Sequence, residues 1–222
     1  MQNRNLKKLL LGSLSMFILC GSVFAVDMRA EFQAGFVTGD PEITFAGVSE
    51  DLDVDNGINL GGNIWWDGVA SPNLSLGLSI NRSSQQDFDV AVNQQFLNVV
   101  VQGITLEHDI DTVMVNAIFR DNSAGKKMRP YVGGGIGMAK TDVDTVITGT
   151  ITVNGQQFAA TGTATDDDTS FAFQFMGGVD FEVTENVYVG ASLGYFMTEA
   201  EIFGADVDFD SFRGNLVLGV KF

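Results

Sequence analysis

Met28-Arg29-Ala30-Glu31-Phe32-Gln33-Ala34-Gly35-Phe36 alternates without a break, with Met28, Ala30, Phe32, Ala34 and Phe36 on one side and Arg29, Glu31, Gln33 and Gly35 on the other. Only an extended strand, whose successive side chains point to opposite faces, sorts residues this way. The same period of two returns seven times. It runs through Ile58 to Trp66, Leu74 to Asn81, Thr112 to Phe119, Tyr131 to Met138, Phe171 to Phe181, Val187 to Tyr195 and Phe212 to Phe222. One face of each stretch is Leu, Val, Ile and Phe; the other is mostly Gly, Ser, Asn and Gln, with Arg29, Glu31, Asp180, Glu182, Arg213 and Lys221 as its charges.

A soluble sandwich or a lipocalin turns its apolar face inward, and alternation by itself allows that. The composition of the polar face decides against it, because small polar residues fit the narrow interior of an eight-stranded ring. With the apolar face toward lipid, every backbone group pairs inside a closed sheet. A charge on the lipid face costs about 2–4 kcal/mol at the bilayer midplane, and these stretches place none there. The fold class expected is therefore all-β, an eight-stranded antiparallel up-and-down transmembrane β-barrel. Its six inward charges are expected to pair across the lumen.

Outside the strands, the chain begins with Arg4, Lys7 and Lys8, an apolar run from Leu9 to Cys20, and Val23-Phe24-Ala25. That is the order of a cleaved secretory signal peptide, so residues 1–25 are expected to be removed and 26–222 to form the barrel. A retained helix needs roughly 20 apolar residues, more than this run supplies. A lipoprotein signal ending at Cys20 is disfavoured by the bulky Leu19. Composition excludes much else. With 28 acids against 12 bases there is no cationic surface for nucleic acid, and one Cys and one His cannot build a thiolate or two-histidine zinc site.

Short connections (Asp67 to Asn73, Asp121 to Arg129, Thr184 to Asn186) alternate with long ones (Thr38 to Asn56, Arg82 to Asp111, Lys140 to Ser170, Thr198 to Ser211). Short turns belong on the periplasmic side and long loops outside. The long ones, expected as external loops, carry 21 of the 28 acids. Within the third, Ile147, Ile151 and Val153 alternate with threonines before Asn154-Gly155, which predicts a β-hairpin standing above the membrane.

Arg129-Pro130-Tyr131-Val132-Gly133-Gly134-Gly135-Ile136-Gly137 resembles the fifth-strand motif of small OmpA-like outer-membrane β-barrel proteins, and Leu216-Val217-Leu218-Gly219-Val220-Lys221-Phe222 looks like their C-terminal assembly signal. The resemblance covers Met28 to Phe222. It implies recognition of Phe222, with Val220 and Leu218, by the barrel-assembly machinery, and a Gram-negative outer membrane with its lipid and lipopolysaccharide as surroundings. No stretch matches the peptidoglycan-binding domain of the larger members.

Candidate chemistry is sparse. His108, in Glu107-His108-Asp109, is the one imidazole available as a general base, but it is expected in or near an external loop with no Ser placed beside it. Asp51, Asp53 and Asp55 resemble a calcium loop, yet the Gly comes one place late and Gly62 stands where the bidentate Glu belongs. Loose divalent-ion contact by these residues, by Asp166-Asp167-Asp168 or by Asp206, Asp208 and Asp210 is the alternative to plain solvated acids. Trp65, Trp66 and Tyr195 are expected in the interfacial aromatic girdle. No metal site or cofactor is expected. The function expected is a non-enzymatic surface or structural barrel (adhesion, envelope integrity) whose acidic loops meet lipopolysaccharide-bound cations, a host molecule or another surface protein. A small channel for ions or solutes is the alternative, drawn from the Gly-rich inward face and opposed by inward Tyr131, Tyr188 and Phe196. A lipid-modifying enzyme rests on His108 alone.

Overall fold

The structure is a computed structural model that describes residues 27–39, 41–45, 48–51, 56–90, 94–96, 99–123, 126–153 and 156–222. The proposed leader, Asp53, Asp55 and the Asn154-Gly155 turn lie outside the described residues. Among the described residues there are twelve strands: β1 (Met28–Thr38), β2 (Glu42–Phe45), β3 (Val48–Asp51), β4 (Gly57–Asp67), β5 (Leu74–Val90), β6 (Gln94–Phe96), β7 (Val99–Arg120), β8 (Met128–Val153), β9 (Gln156–Glu182), β10 (Val187–Ile202), β11 (Ala205–Asp208) and β12 (Ser211–Lys221).

Eight of these form a ring in the order β12-β1-β4-β5-β7-β8-β9-β10, closed because β10 also pairs with β12. All of the pairs are antiparallel. At the seam, Arg29 stands opposite Lys221 and Thr38 opposite Phe212. Beyond the last ladder position, the Phe222 N–H donates to the Met28 carbonyl at 3.0 Å, and the Met28 N–H to the Phe222 carbonyl at 3.2 Å. The end of the chain thus completes the ring, and Phe222, Val220 and Leu218 point outward with their side chains exposed.

The outward face is a continuous apolar band that includes Phe32, Phe36, Ile64, Ile80, Val115, Phe119, Ile136, Phe171, Phe175, Leu193 and Leu216. In water such exposure would be a severe aggregation hazard; against acyl chains it is the required surface. The band ends toward the long connections at Arg82, Asp109, Asp111, Lys140 and Asp142, which face outward on the same strands. The lumen is filled by side chains, and two close approaches depend on glycine. A Cβ on Gly77 would lie 2.4 Å from the Trp65 ring, and one on Gly219 would lie 2.1 Å from the Tyr188 ring.

The long connections differ from the expected loops. β5, β7, β8 and β9 run on as strands well past the apolar band, with Val153 paired to Gln156 at the top of the β8–β9 hairpin. Their alternation persists, and a hydrogen-bonded ladder satisfies the backbone better than a loop of such length. Most of the described acids assigned to loops therefore sit on strands. Across from this wall, β10, β11, β2 and β3 form a second sheet. The turn between β10 and β11 has positive φ at both Phe203 (51°) and Gly204 (79°).

Between the two sheets lies an apolar core of Ile110, Met114, Ala139, Val143, Ala172, Phe196, Ala200, Ile202, Val207 and Phe209. It closes the end of the lumen on the side of the long connections. His108 belongs to this plug and not to a loop. Its side chain is buried, its ring lies 5.2 Å from that of Phe209, and Nε2 is 3.1 Å from Gln85 Oε1. A carbonyl oxygen accepts, so Nε2 carries the proton and Nδ1, which has no partner, is left bare.

Two outcomes are expected. Replacing Gly219 with Leu crowds Tyr188 and lowers stability by about 1–3 kcal/mol, and combining it with Tyr188→Ala restores part of that loss; urea unfolding of the barrel from lipid vesicles reads both. Burial pushes the His108 pKa down to about 4, with Asp109 acting weakly in the opposite direction. Between that value and the ordinary 6.5, the unfolded chain binds a proton that the folded one does not, so stability falls as pH drops through this window and loses nothing further from this group below it. The loss amounts to at most about 3 kcal/mol. His108→Phe should flatten it in unfolding curves taken from pH 7 to pH 4.

Candidate functional site

Alternation along β1, β4, β7, β9 and β10 aims Arg29, Glu31, Asp67, Arg120, Asp180 and Tyr188 at one level in the half of the lumen nearer the short turns. Glu31 is the hub. Its Oε1 accepts from Tyr188 Oη at 2.6 Å and from Arg29 Nη1 at 3.0 Å, while Oε2 accepts from Trp65 Nε1 at 2.7 Å and Asn63 Nδ2 at 2.8 Å. Arg29 also grips Asp67 through Nε and, at 2.9 Å, through Nη2. Arg120 Nη2 lies 2.9 Å from Asp180 Oδ2 and 3.6 Å from Glu31. At the rim on that side, Glu182 takes Arg129 at 2.8 Å together with Lys221. Four cations face four carboxylates across the two levels, so the cluster is charge-balanced.

Arg29, Glu31 and Asp180 are thus brought together, Glu182 and Lys221 are paired just below them, and Arg213 stands apart. The guanidinium of Arg213 lies 3.7 Å over the Phe196 ring, in a higher layer. Asp67 and Arg120 are not singled out by the sequence reading, although each continues the polar face that Asn63 and Asn116 carry, and extending the alternation along those strands reaches them. Trp65 is corrected: it is 2% exposed inside the barrel and not in the girdle, because its indole N–H has a carboxylate to bond there. Above the charged cluster lies a layer of amides and hydroxyls, in which Asn59 Nδ2 donates to Asn215 at 2.7 Å and Asn116 Nδ2 to Ser79 at 2.9 Å.

A second feature opens on the side of the long connections. β9 and β10 pair up to Ala172 and Thr198, then separate, because β10 turns to pair with β11. The resulting cleft of about 490 Å³ has Phe171, Phe173 and Met197 at its base and Asp168, Glu199, Glu201, Asp206, Asp208 and Asp210 around it. Its edges are partly covered. Asp168 Oδ2 accepts from the Glu201 N–H at 3.0 Å, and Asp166 Oδ2 from the Phe203 N–H at 2.6 Å. Asp167 points away, toward Lys140 at 3.6 Å. Burial, then the neighbouring Asp210, Glu42 and Asp206, raise the Asp208 pKa, the signature of crowded negative charge. Asp51 ends β3.

No curated protein matches the sequence. Solved structures do. A major outer membrane protein from Thermus thermophilus is 11% identical with a TM-score of 0.50, over 90% of this chain and 100% of that one. The outer membrane protein OprG from Pseudomonas aeruginosa is 16% identical with a TM-score of 0.48, over 87% and 95%. Neisserial surface protein A is 12% identical with a TM-score of 0.47, over 88% and 97%. At such identities the likeness concerns the fold alone. The sequence itself matches the family described as outer membrane protein beta-barrel domain over residues 11–222. The closed ring and its apolar band are what that match requires, and the chain belongs to this family of barrels in the Gram-negative outer membrane.

Proposed function

We propose that the protein is a non-enzymatic surface barrel that works through its extracellular end, where carboxylates meet lipopolysaccharide phosphates through shared divalent cations. One observation carries this reading. The lumen is crossed by packed layers, charged below, amide-lined in the middle and apolar above, while the unneutralised charge gathers along the β9–β10 cleft just beyond the apolar band. Carboxylate oxygens are the ligands hard cations prefer. Contact with a host or neighbouring surface protein is a second reading, favoured by the free outer edge of β3, which among the described residues pairs only with β2. Such an edge accepts an added strand.

Catalysis has little to work with. His108 Nε2 is held by Gln85, and its Nδ1 is enclosed by the plug with no hydroxyl bonded to it. A general base needs its proton donor within hydrogen-bond reach. Conduction is opposed by Trp65, Tyr188 and Phe196, all buried inside the ring.

Two measurements test the proposal. In a planar bilayer the refolded chain should be silent; discrete, reproducible openings would make it a channel. In lipopolysaccharide-containing vesicles with magnesium, EDTA should destabilise the barrel, and the combined Asp206→Asn, Asp208→Asn and Asp210→Asn variant should show a smaller response. An identical EDTA response in both proteins counts against the cation bridge.

A further inference from the structure

Among the described residues, Arg213 is the one buried cation of the lumen without a carboxylate. Arg29 and Arg120 are ion-paired, whereas Arg213 makes no ion pair among the described residues, and its Nε and Nη2 atoms, enclosed away from solvent, donate to nothing. The side chain is 5% exposed. In the strand ladders it stands between Val37 and Gly194, neither of which brings a side-chain acceptor. The Phe196 ring 3.7 Å away offsets part of the charge through its π face. A ring is no substitute for a counterion, since a guanidinium withdrawn from water and left unpaired is strongly unfavourable.

The same guanidinium lines an internal cavity of about 40 Å³, whose wall also includes Gln33, Asn59, Asn81, Asn215 and Trp65. That volume exceeds the roughly 10–15 Å³ needed for one water. Asn81 accepts through Oδ1 from Gln33, and Asn215 accepts through Oδ1 from Asn59, so their Nδ2 donors are not spent in those bonds. No carboxylate lines the cavity. A fixed positive charge, spare amide donors and a small enclosed volume describe an anion site. We propose that the lumen binds a single halide-sized monovalent anion, chloride in the natural setting, held by Arg213 and the surrounding amides. Water alone would satisfy the donors and leave the charge uncompensated in a low-dielectric interior.

Bromide provides the probe, and Trp65, which lines the cavity, provides the reporter. With Trp66→Phe, Trp65 is the sole tryptophan of a chain that has two. The full mature barrel, refolded in sodium bromide or in sodium gluconate at equal ionic strength, should show saturable quenching of Trp65 by bromide. Arg213→Met should lose the saturable component and Arg213→Lys should retain it. Crystals of the wild-type protein prepared in bromide should show an anomalous peak beside the Arg213 guanidinium, on the side of Nη1, the nitrogen that is not enclosed. That crystal result decides the matter even where Arg213→Met does not fold. Density there with no anomalous signal means water only and overturns the proposal, as does saturable quenching that survives in folded Arg213→Met.

Discussion

In hydrocarbon a backbone N–H or C=O has no partner except another backbone group, and a sheet meets that demand only by closing on itself. The whole structure follows from β12 pairing on both sides, with β1 and with β10. Eight strands then fix the circumference, and the circumference fixes an interior just wide enough for side chains. Every inward residue is constrained by its opposite neighbour across that small space. Trp65 is seated because residue 77 has no Cβ, and Tyr188 because residue 219 has none. The closure also explains why the outward face is apolar throughout the band: once the backbone is satisfied, lipid asks nothing further of the strands than an uncharged surface.

The interior must then reconcile polar side chains with exclusion from bulk water. Charged pairs withdrawn from water give back in Coulomb attraction about what they lose in hydration, but removing one partner costs about 3–5 kcal/mol. The Glu31 cluster is organised accordingly, with both carboxylate oxygens accepting two hydrogen bonds each. Such a network contributes more to fixing one arrangement of the eight strands than to net stability. Above the membrane the constraint relaxes. Water can pair with an open edge, so β9 and β10 separate beyond Ala172 and Thr198, and the ring gives way to two facing sheets. Their core of Ile110, Val143, Val207 and Phe209 is that of a soluble sandwich, driven by removal of apolar area from water.

The ring was legible in the sequence because lipid-facing alternation is strict and every barrel strand obeys it. Turn positions are legible too, since the connections near Asp67 to Asn73 and Thr184 to Asn186 interrupt the pattern with short stretches, with β4 running through Asp67 itself. What escapes is the extension of the strands, and with it the true setting of His108, because the lipid-type alternation ends at Asp109 and Asp142 on the outward face while the ladders continue. The Trp65 position shows a different failure. Its alternation with Asn59 and Asn63 pointed inward, but the general habit of tryptophan to sit at the interface outweighed it. The partner that reverses that habit, Glu31, lies on another strand, and a contact across strands is set by register and not by local pattern. Arg213 was readable as inward; that it lacks the carboxylate its counterparts enjoy depends on the height of each side chain in the lumen.

The strands that cross the boundary make the final point about register. On β7 the inward positions His108, Ile110, Thr112, Met114 and Asn116 never lose parity, nor do the outward positions Asp109, Asp111, Val113 and Val115. The outward face nevertheless changes from carboxylate to apolar between residues 111 and 113, while the inward face below that point mixes Asn116 with Met114 and Ile118. Outside the membrane, carboxylates look out and apolar groups look in; within it, Val113 and Val115 look out while Asn116 looks in. An outward face that turns from carboxylate to apolar with no slip of backbone register is the mark of a strand passing from water to lipid. It also makes the register unforgiving. A shift by one residue would bury Asp109 and Asp111 in the plug and turn Asn116 toward acyl chains, penalties at both ends of one strand. The two solvents together hold β7 in place more firmly than either alone, and β8, with Lys140 and Asp142 outside and Ala139 and Val143 inside, repeats the arrangement beside it.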